Sequence, residues 1–157
     1  YSLNKDRYLI PRKITFTHIF FGKQERGSWA EAERSAKQLL TESLGTPPDN
    51  GKEINSGDRF IFHKNYVEKS SEHISSHFGK EFSDALFKSG LDKWEGPIKS
   101  AYGYHIVFVG NIFEEKLQNL EEIYDQVEWD AKQAAITELT ETFILDLKKK
   151  YKVVLDL

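Results

Sequence analysis

The chain has 157 residues, 39% apolar and 30% charged, a balance that suits one packed domain with room for an appendage and differs from the composition of disordered chains. With 22 basic against 25 acidic side chains, the net charge of −3 provides no general attraction to nucleic acid or anionic lipid. The absence of cysteine excludes disulfides, thiol nucleophiles and thiolate metal sites together.

In chain order, Ile14-Thr15-Phe16-Thr17-His18-Ile19-Phe20-Phe21 reads first as a strand: it is β-branched and aromatic, Pro11 precedes it and Gly22 ends it. Ala32, Ala36, Leu39 and Leu40 then share one helical face, so a helix is expected over 29–44, with Ser28 as N-cap and Gly45 as stop. Pro47-Pro48-Asp49-Asn50-Gly51 is a loop, and Asp58-Arg59-Phe60-Ile61-Phe62 a second short strand or extended segment. Two short helices follow. Ser70 or Ser71 caps the first, through His77, and Phe78, Phe82, Ala85 and Leu86 lie at helical spacing in the next, which Gly90 closes. Residues 93–98 read as extended, Ala101-Tyr102-Gly103 as a tight turn, and 104–109 as the strongest strand. This order predicts an α+β fold with an antiparallel or mixed sheet.

From Leu117 onward the pattern predicts one long helix capped by Asn119, with Leu120, Ile123, Val127, Ala131, Ala134, Leu139, Phe143 and Leu147 as an apolar stripe. Acidic residues crowd its start and Lys148, Lys149 and Lys150 its end, as the helix dipole favours. About 30 residues would reach roughly 45 Å, so part of the stripe is expected to need another surface, a partner or a second copy. Val153-Val154-Leu155 resembles a terminal strand. Residues 1–113 carry 16 basic and 14 acidic side chains and residues 114–157 carry 6 and 11, which places a boundary near Phe113. The chain opens on Tyr1 and contains no Met, so it is expected to be a piece of a longer product. No apolar run reaches the roughly 18 residues of a membrane span, and an anchor is expected only in a segment missing from this chain.

Histidines are the main candidates for chemistry. His18 and His105 each lie in a predicted strand, where neighbouring strands can bring them face to face. His73 and His77 share a helical face four residues apart, but no third ligand stands at a recognised spacing, so no metal is assigned. His63, beside Lys64, reads as a surface residue. Neither a glycine-rich phosphate loop nor a Gly-x-Ser-x-Gly elbow is present.

Gly96-Pro97-Ile98-Lys99-Ser100-Ala101-Tyr102-Gly103-Tyr104-His105-Ile106-Val107 resembles the closing motif of parvulin-type peptidyl-prolyl cis-trans isomerases. Phe78-Gly-Lys-Glu-Phe82-Ser-Asp-Ala85-Leu86 is similar to that family's preceding helix, and Thr17-His18-Ile19-Phe20 to its first strand. The three segments occur in the family's order. The resemblance covers residues 12–113 and extends more weakly to Asn4–Pro11, which looks like the lead-in of secreted or membrane-anchored bacterial foldases. It implies a parvulin-like fold of the FKBP-like superfamily: a four-stranded antiparallel sheet with surrounding helices. Residues 1–11 then become a lead-in, 12–113 the isomerase domain, and 114–157 a long C-terminal helix with a short strand.

The resemblance also implies a site. Phe62, Phe78, Phe82 and Tyr102 would bind the client around a proline pocket, with His18 and His105 as a pair beneath it and Ser100 supporting them by a hydrogen bond. The family places a Cys or Asp in the loop before the Gly57-Asp58 turn; without cysteine, Asp49 is the candidate, and Arg59 replaces the usual Leu after Gly-Asp. The function implied is cofactor-free isomerisation of X-Pro bonds in unfolded or secreted polypeptides of the bacterial periplasm or envelope, with no metal and no nucleic acid. Two readings compete with it: a catalytically weak or inactive chaperone module that holds chains in the same cleft, and an assembly element that self-associates through the C-terminal helix.

Overall fold

The computed structural model describes residues 1–42 and 57–151. Its elements are a 3₁₀ turn (Lys5–Tyr8), β1 (Leu9–Ile10), β2 (Lys13–Gly22), α1 (Lys23–Arg26), α2 (Trp29–Thr41), β3 (Asn65–Ser70), α3 (Ser71–Phe78), α4 (Lys80–Leu86), β4 (Trp94–Lys99), β5 (Gly103–Phe113), β6 (Lys116–Leu117) and α5 (Tyr124–Lys150). Packing divides the chain into two units, Tyr1–Ile10 with Leu117–Leu157, and Pro11–Lys116.

The unit Pro11–Lys116 is built on a four-stranded sheet in the order β3-β2-β5-β4, every neighbouring pair antiparallel. Side chains alternate between sheet faces, so Phe16, His18 and Phe20 of β2 lie on one face and Ile19 and Phe21 on the other. The first face packs with Ile74, Phe78, Phe82 and Leu86 of α3 and α4. The second packs with Ala32 and Ala36 of α2, whose start is capped as expected by Ser28 Oγ accepting from Glu31 N–H at 3.1 Å. Burial on both faces explains why Ile19, Phe20 and Phe21 are apolar without alternation.

Several boundaries depart from the sequence reading. The strand expected at 58–62 is only an isolated bridge between Asp58 and Phe20; the partner of β2 is β3, further on, which buries Tyr66 alone and so lacks an apolar alternation. The second short helix ends at Leu86, four residues before Gly90, where turns through Phe87 to Ser89 take over. The long helix starts at Tyr124, leaving Leu120 and Ile123 in the turns before it, and its N-cap is Ile123 without a side-chain hydrogen bond. The expected stop at Gly45, the loop 47–51 and the terminal strand 153–155 lie outside the described residues.

In the other unit, Tyr1 stacks on Tyr8 at 5.5 Å and donates its hydroxyl to Gln118 O at 2.6 Å, while Tyr8 donates to Asp130 Oδ2 at 3.0 Å. The 27 residues of α5 run about 40 Å and none is buried; Trp129, Ile136, Leu139 and Phe143 are all exposed. Among the described residues no helix is long and apolar enough to cross a membrane.

One polar cluster ties the end of β2 to the segment after it. Asp58 accepts from Gly22 N–H (2.9 Å) and from Arg26 Nε and Nη2 (3.0 and 2.9 Å), and its own N–H donates to Phe20 O at 2.7 Å. Gly57 is required beside it, because a Cβ there would stand 2.6 Å from Phe20 O. Asp58→Ala should therefore lower unfolding free energy by about 2 kcal/mol, the worth of charge-assisted hydrogen bonds at a mostly buried carboxylate; urea denaturation checks this, and a change under about 0.5 kcal/mol would contradict it.

Candidate active site

The two strand histidines meet diagonally. In the β2–β5 register Phe20 pairs with His105 and His18 with Val107, so the imidazoles sit one pair apart on the same face, with their Nδ1 atoms 3.0 Å apart. Both are buried, as is Ser100, whose Oγ lies 2.7 Å from His105 Nε2. Ser100 reaches this point because the chain turns back at once into β5: Ser100 N–H donates to Gly103 O at 2.8 Å. Gly103 makes the turn possible, since a Cβ there would stand 2.1 Å from Phe21 O.

The hydrogen positions follow from the far end of the chain. His18 Nε2 lies 2.9 Å from the carbonyl oxygen of His63, and a carbonyl can only accept. His18 therefore carries its proton on Nε2, and its Nδ1 is an acceptor. His105 must then donate from Nδ1, which leaves His105 Nε2 to accept from the Ser100 hydroxyl. Ser100 Oγ in turn accepts from Tyr102 N–H at 3.2 Å. The result is a one-directional relay, Tyr102 N–H to Ser100 to His105 to His18 to His63 O, with both rings neutral. Burial agrees: it lowers the His18 pKa to about 4 and, with the neighbouring His18 ring, pushes that of His105 well below the usual value.

Aromatic rings cover this floor. The α3–α4 junction carries Phe78 and Phe82, stacked at 4.4 Å, and both meet His105 edge-on, at 5.2 and 5.0 Å. Phe60 meets His18 and His105 edge-on at 5.0 and 5.1 Å and stacks on Phe78 at 5.0 Å. Tyr102 and Phe62 stand farther out, 38% and 37% exposed, at 5.7 and 5.6 Å from Phe60.

The structure thus gathers His18, His105, Ser100, Phe78 and Phe82 into one cluster, with Tyr102 and Phe62 at its rim. Asp49 lies outside the described residues. Two contributors escaped the sequence reading: the Phe60 ring, one of three consecutive apolar residues with nothing to mark it as the inward one, and the His63 carbonyl, a backbone group that no side-chain pattern reveals. His63 itself is exposed, as expected. His73 and His77 do share a helix face, with rings 4.6 Å apart, but His77 stacks under Phe62 at 4.1 Å and its Nδ1 lies 3.0 Å from the Tyr66 hydroxyl. Among the described residues no three His, Asp or Glu side chains converge as metal ligands.

A family model described as a PPIC-type PPIASE domain matches residues 1–125. Foldase protein PrsA 1 of Bacillus cereus is 29% identical over 130 residues, which cover 82% of this chain and 37% of that protein. A putative peptidyl-prolyl cis-trans isomerase of Campylobacter jejuni, Cbf2, is 26% identical over 121 residues, 71% of this chain and 40% of that one. The chain therefore spans well under half the length of these curated relatives. Among solved structures, one from work on two SurA-like chaperones of Campylobacter jejuni, PEB4 and a periplasmic protein, aligns with a TM-score of 0.53 at 19% identity, over 99% of this chain and 61% of that one.

The relay predicts that nitrogen-15 NMR will find His18 protonated on Nε2 and His105 on Nδ1, both unchanged from pH 8 to 5; either ring titrating near pH 6.5 would contradict it. The same depressed values give a stability slope. Both rings bind a proton more readily in the unfolded chain, so each contribution is complete above about pH 6.5 and shrinks as pH falls below it, toward about 4 for His18, by up to about 1.4 kcal/mol per pH unit per ring. Urea denaturation across pH 5 to 8 reads that slope.

Proposed function

The chain belongs to the PPIC-type peptidyl-prolyl isomerase family, and from that premise we propose that it turns X-Pro peptide bonds by sheltering the twisted amide over the neutral histidine floor. The barrier to be lowered is about 20 kcal/mol and reflects lost amide resonance. No bond breaks and no proton need move. A twisted amide has less charge separation than a planar one, so a site that is apolar and uncharged favours it over the ground state, the condition for catalysis. The observation that carries this reading is the saturated relay: both imidazoles spend every nitrogen on an internal partner, which makes a firm floor without a charge. Phe78 and Phe82 supply an apolar wall for the proline ring, Tyr102 and Phe62 a rim for its neighbours, and Ser100 holds His105.

The clients are unfolded or secreted polypeptides, and the setting is the bacterial envelope outside the cytoplasm. The foldase and periplasmic chaperone among the similar proteins support this. A second reading, a module that holds chains in the same cleft without turning them, is favoured by one feature: exposed Arg59 puts a charge beside Phe60 and Tyr102, where the resemblance expects Leu.

Isomerisation of a proline tetrapeptide separates the two. Catalysis that falls about ten- to a hundredfold in His105→Ala and Phe82→Ala, a loss of about 1.4 to 2.8 kcal/mol in transition-state stabilisation, supports the enzyme. An uncatalysed rate in wild type and variants alike, with an unfolded client still bound, supports the holding module.

A further inference from the structure

Phe60 occupies the space that a client's proline ring would need, and we propose that its side chain is a built-in plug that must swing out before a client binds. The inference rests on the isomerase reading. It starts from burial: Phe60 is 5% exposed although residues 59–62 belong to no helix or strand, while the next two residues, Ile61 and Phe62, are 64% and 37% exposed. One ring of this segment points inward, and it covers His18, His105 and Phe78 together. With these groups at 0 to 1% exposure, the space directly over the histidine pair is taken by the Phe60 ring.

The segment is clamped on both sides by hydrogen bonds, and between them Phe62 stacks on His77 at 4.1 Å. Before it, Asp58 is fixed to Gly22, Arg26 and Phe20. After it, His63 O accepts from His18 Nε2, and Lys64 O accepts from His18 N–H at 3.1 Å. Rotation of the Phe60 side chain can therefore proceed without dismantling the floor.

There is also room for the displaced ring. An open cleft of about 270 Å³ borders Phe60, lined by Phe20, Trp29 and Tyr102 together with Lys23, Glu25 and Arg59, and a benzene-sized ring needs only about 150 Å³. On the far side a second cleft, about 380 Å³, is lined by Phe78, Phe82 and Ser100, and the two clefts share Ala101. Phe60 borders the first cleft and stacks on Phe78, which lines the second, so its ring is the group whose departure would link them for an extended chain.

A plug and an ordinary core residue predict opposite signs. A plug lowers apparent affinity by the fraction of molecules that are open, so truncating it tightens binding; if one molecule in ten to a hundred is open, the gain is about ten- to a hundredfold. Truncating a core ring weakens binding along with stability.

The test titrates a succinyl-Ala-Ala-Pro-Phe tetrapeptide into the full chain and into Phe60→Ala and Phe60→Leu, following the Ser100 and His105 amides by NMR and the melting temperature alongside. The plug predicts about tenfold or tighter binding by Phe60→Ala, a smaller gain for Phe60→Leu, and a lower melting temperature in both. Should Phe60→Ala fail to fold, Phe60→Leu decides by the same criterion. Equal or weaker binding in a folded variant, with wild type still binding, overturns the plug and leaves the isomerase reading intact. Binding by none of the three overturns both.

Discussion

A carbonyl oxygen accepts hydrogen bonds and cannot donate them, and the His63 carbonyl beside His18 Nε2 imposes that rule on everything beneath the site. It orients His18, through His18 it orients His105, and through His105 the Ser100 hydroxyl. A protonated ring at either position would force two donors together or strand a charge in the core, so the pair stays neutral. Neutrality in turn makes the aromatic cover possible: phenylalanines packed on imidazolium ions would leave two like charges unsolvated, whereas on neutral rings they complete a core.

The same short segment does two jobs. Its His63 carbonyl anchors the relay and its Phe60 ring fills the space above it, three residues apart in one stretch without regular structure. Floor and cover are therefore mechanically linked, and Asp58 holds the near end of the link to β2. The four-stranded sheet supplies the remaining precision. Alternation along β2 and β5 puts both histidines on the face toward α3 and α4, and the diagonal register gives their Nδ1 atoms hydrogen-bonding distance where a directly opposed pair would crowd.

The strands at β2 and β5, the capped helix α2 and the two short helices α3 and α4 were legible in the sequence because each carries a strong local signal: β-branched aromatic runs, Ser28 and Ser70 as caps, and helical spacing from Phe78 to Leu86. The edge strand β3 was not, since an exposed edge with only Tyr66 inward has no alternation to read. The late start of α5 was hidden by a stripe that continues apolar spacing through Leu120 and Ile123, residues that form turns instead. At the site, the two histidines, Ser100 and the phenylalanine pair were legible through motif order. Phe60 and the His63 carbonyl were not, because the first depends on a long-range fit in three dimensions and the second is a main-chain atom. The charged Arg59 drew attention to a position whose neighbour, Phe60, is the one that enters the core.

Neutrality of the floor carries a kinetic signature that separates shelter of a twisted amide from proton transfer. If the two imidazoles act only as an uncharged support, no ionisation near neutrality governs the chemical step. The most direct measurement is the pH profile of kcat/KM for a proline tetrapeptide between pH 5.5 and 8.5. A neutral floor gives a profile flat to within about twofold; a bell or a tenfold rise with a midpoint near the ordinary histidine value of about 6.5 would show that a charged imidazole takes part.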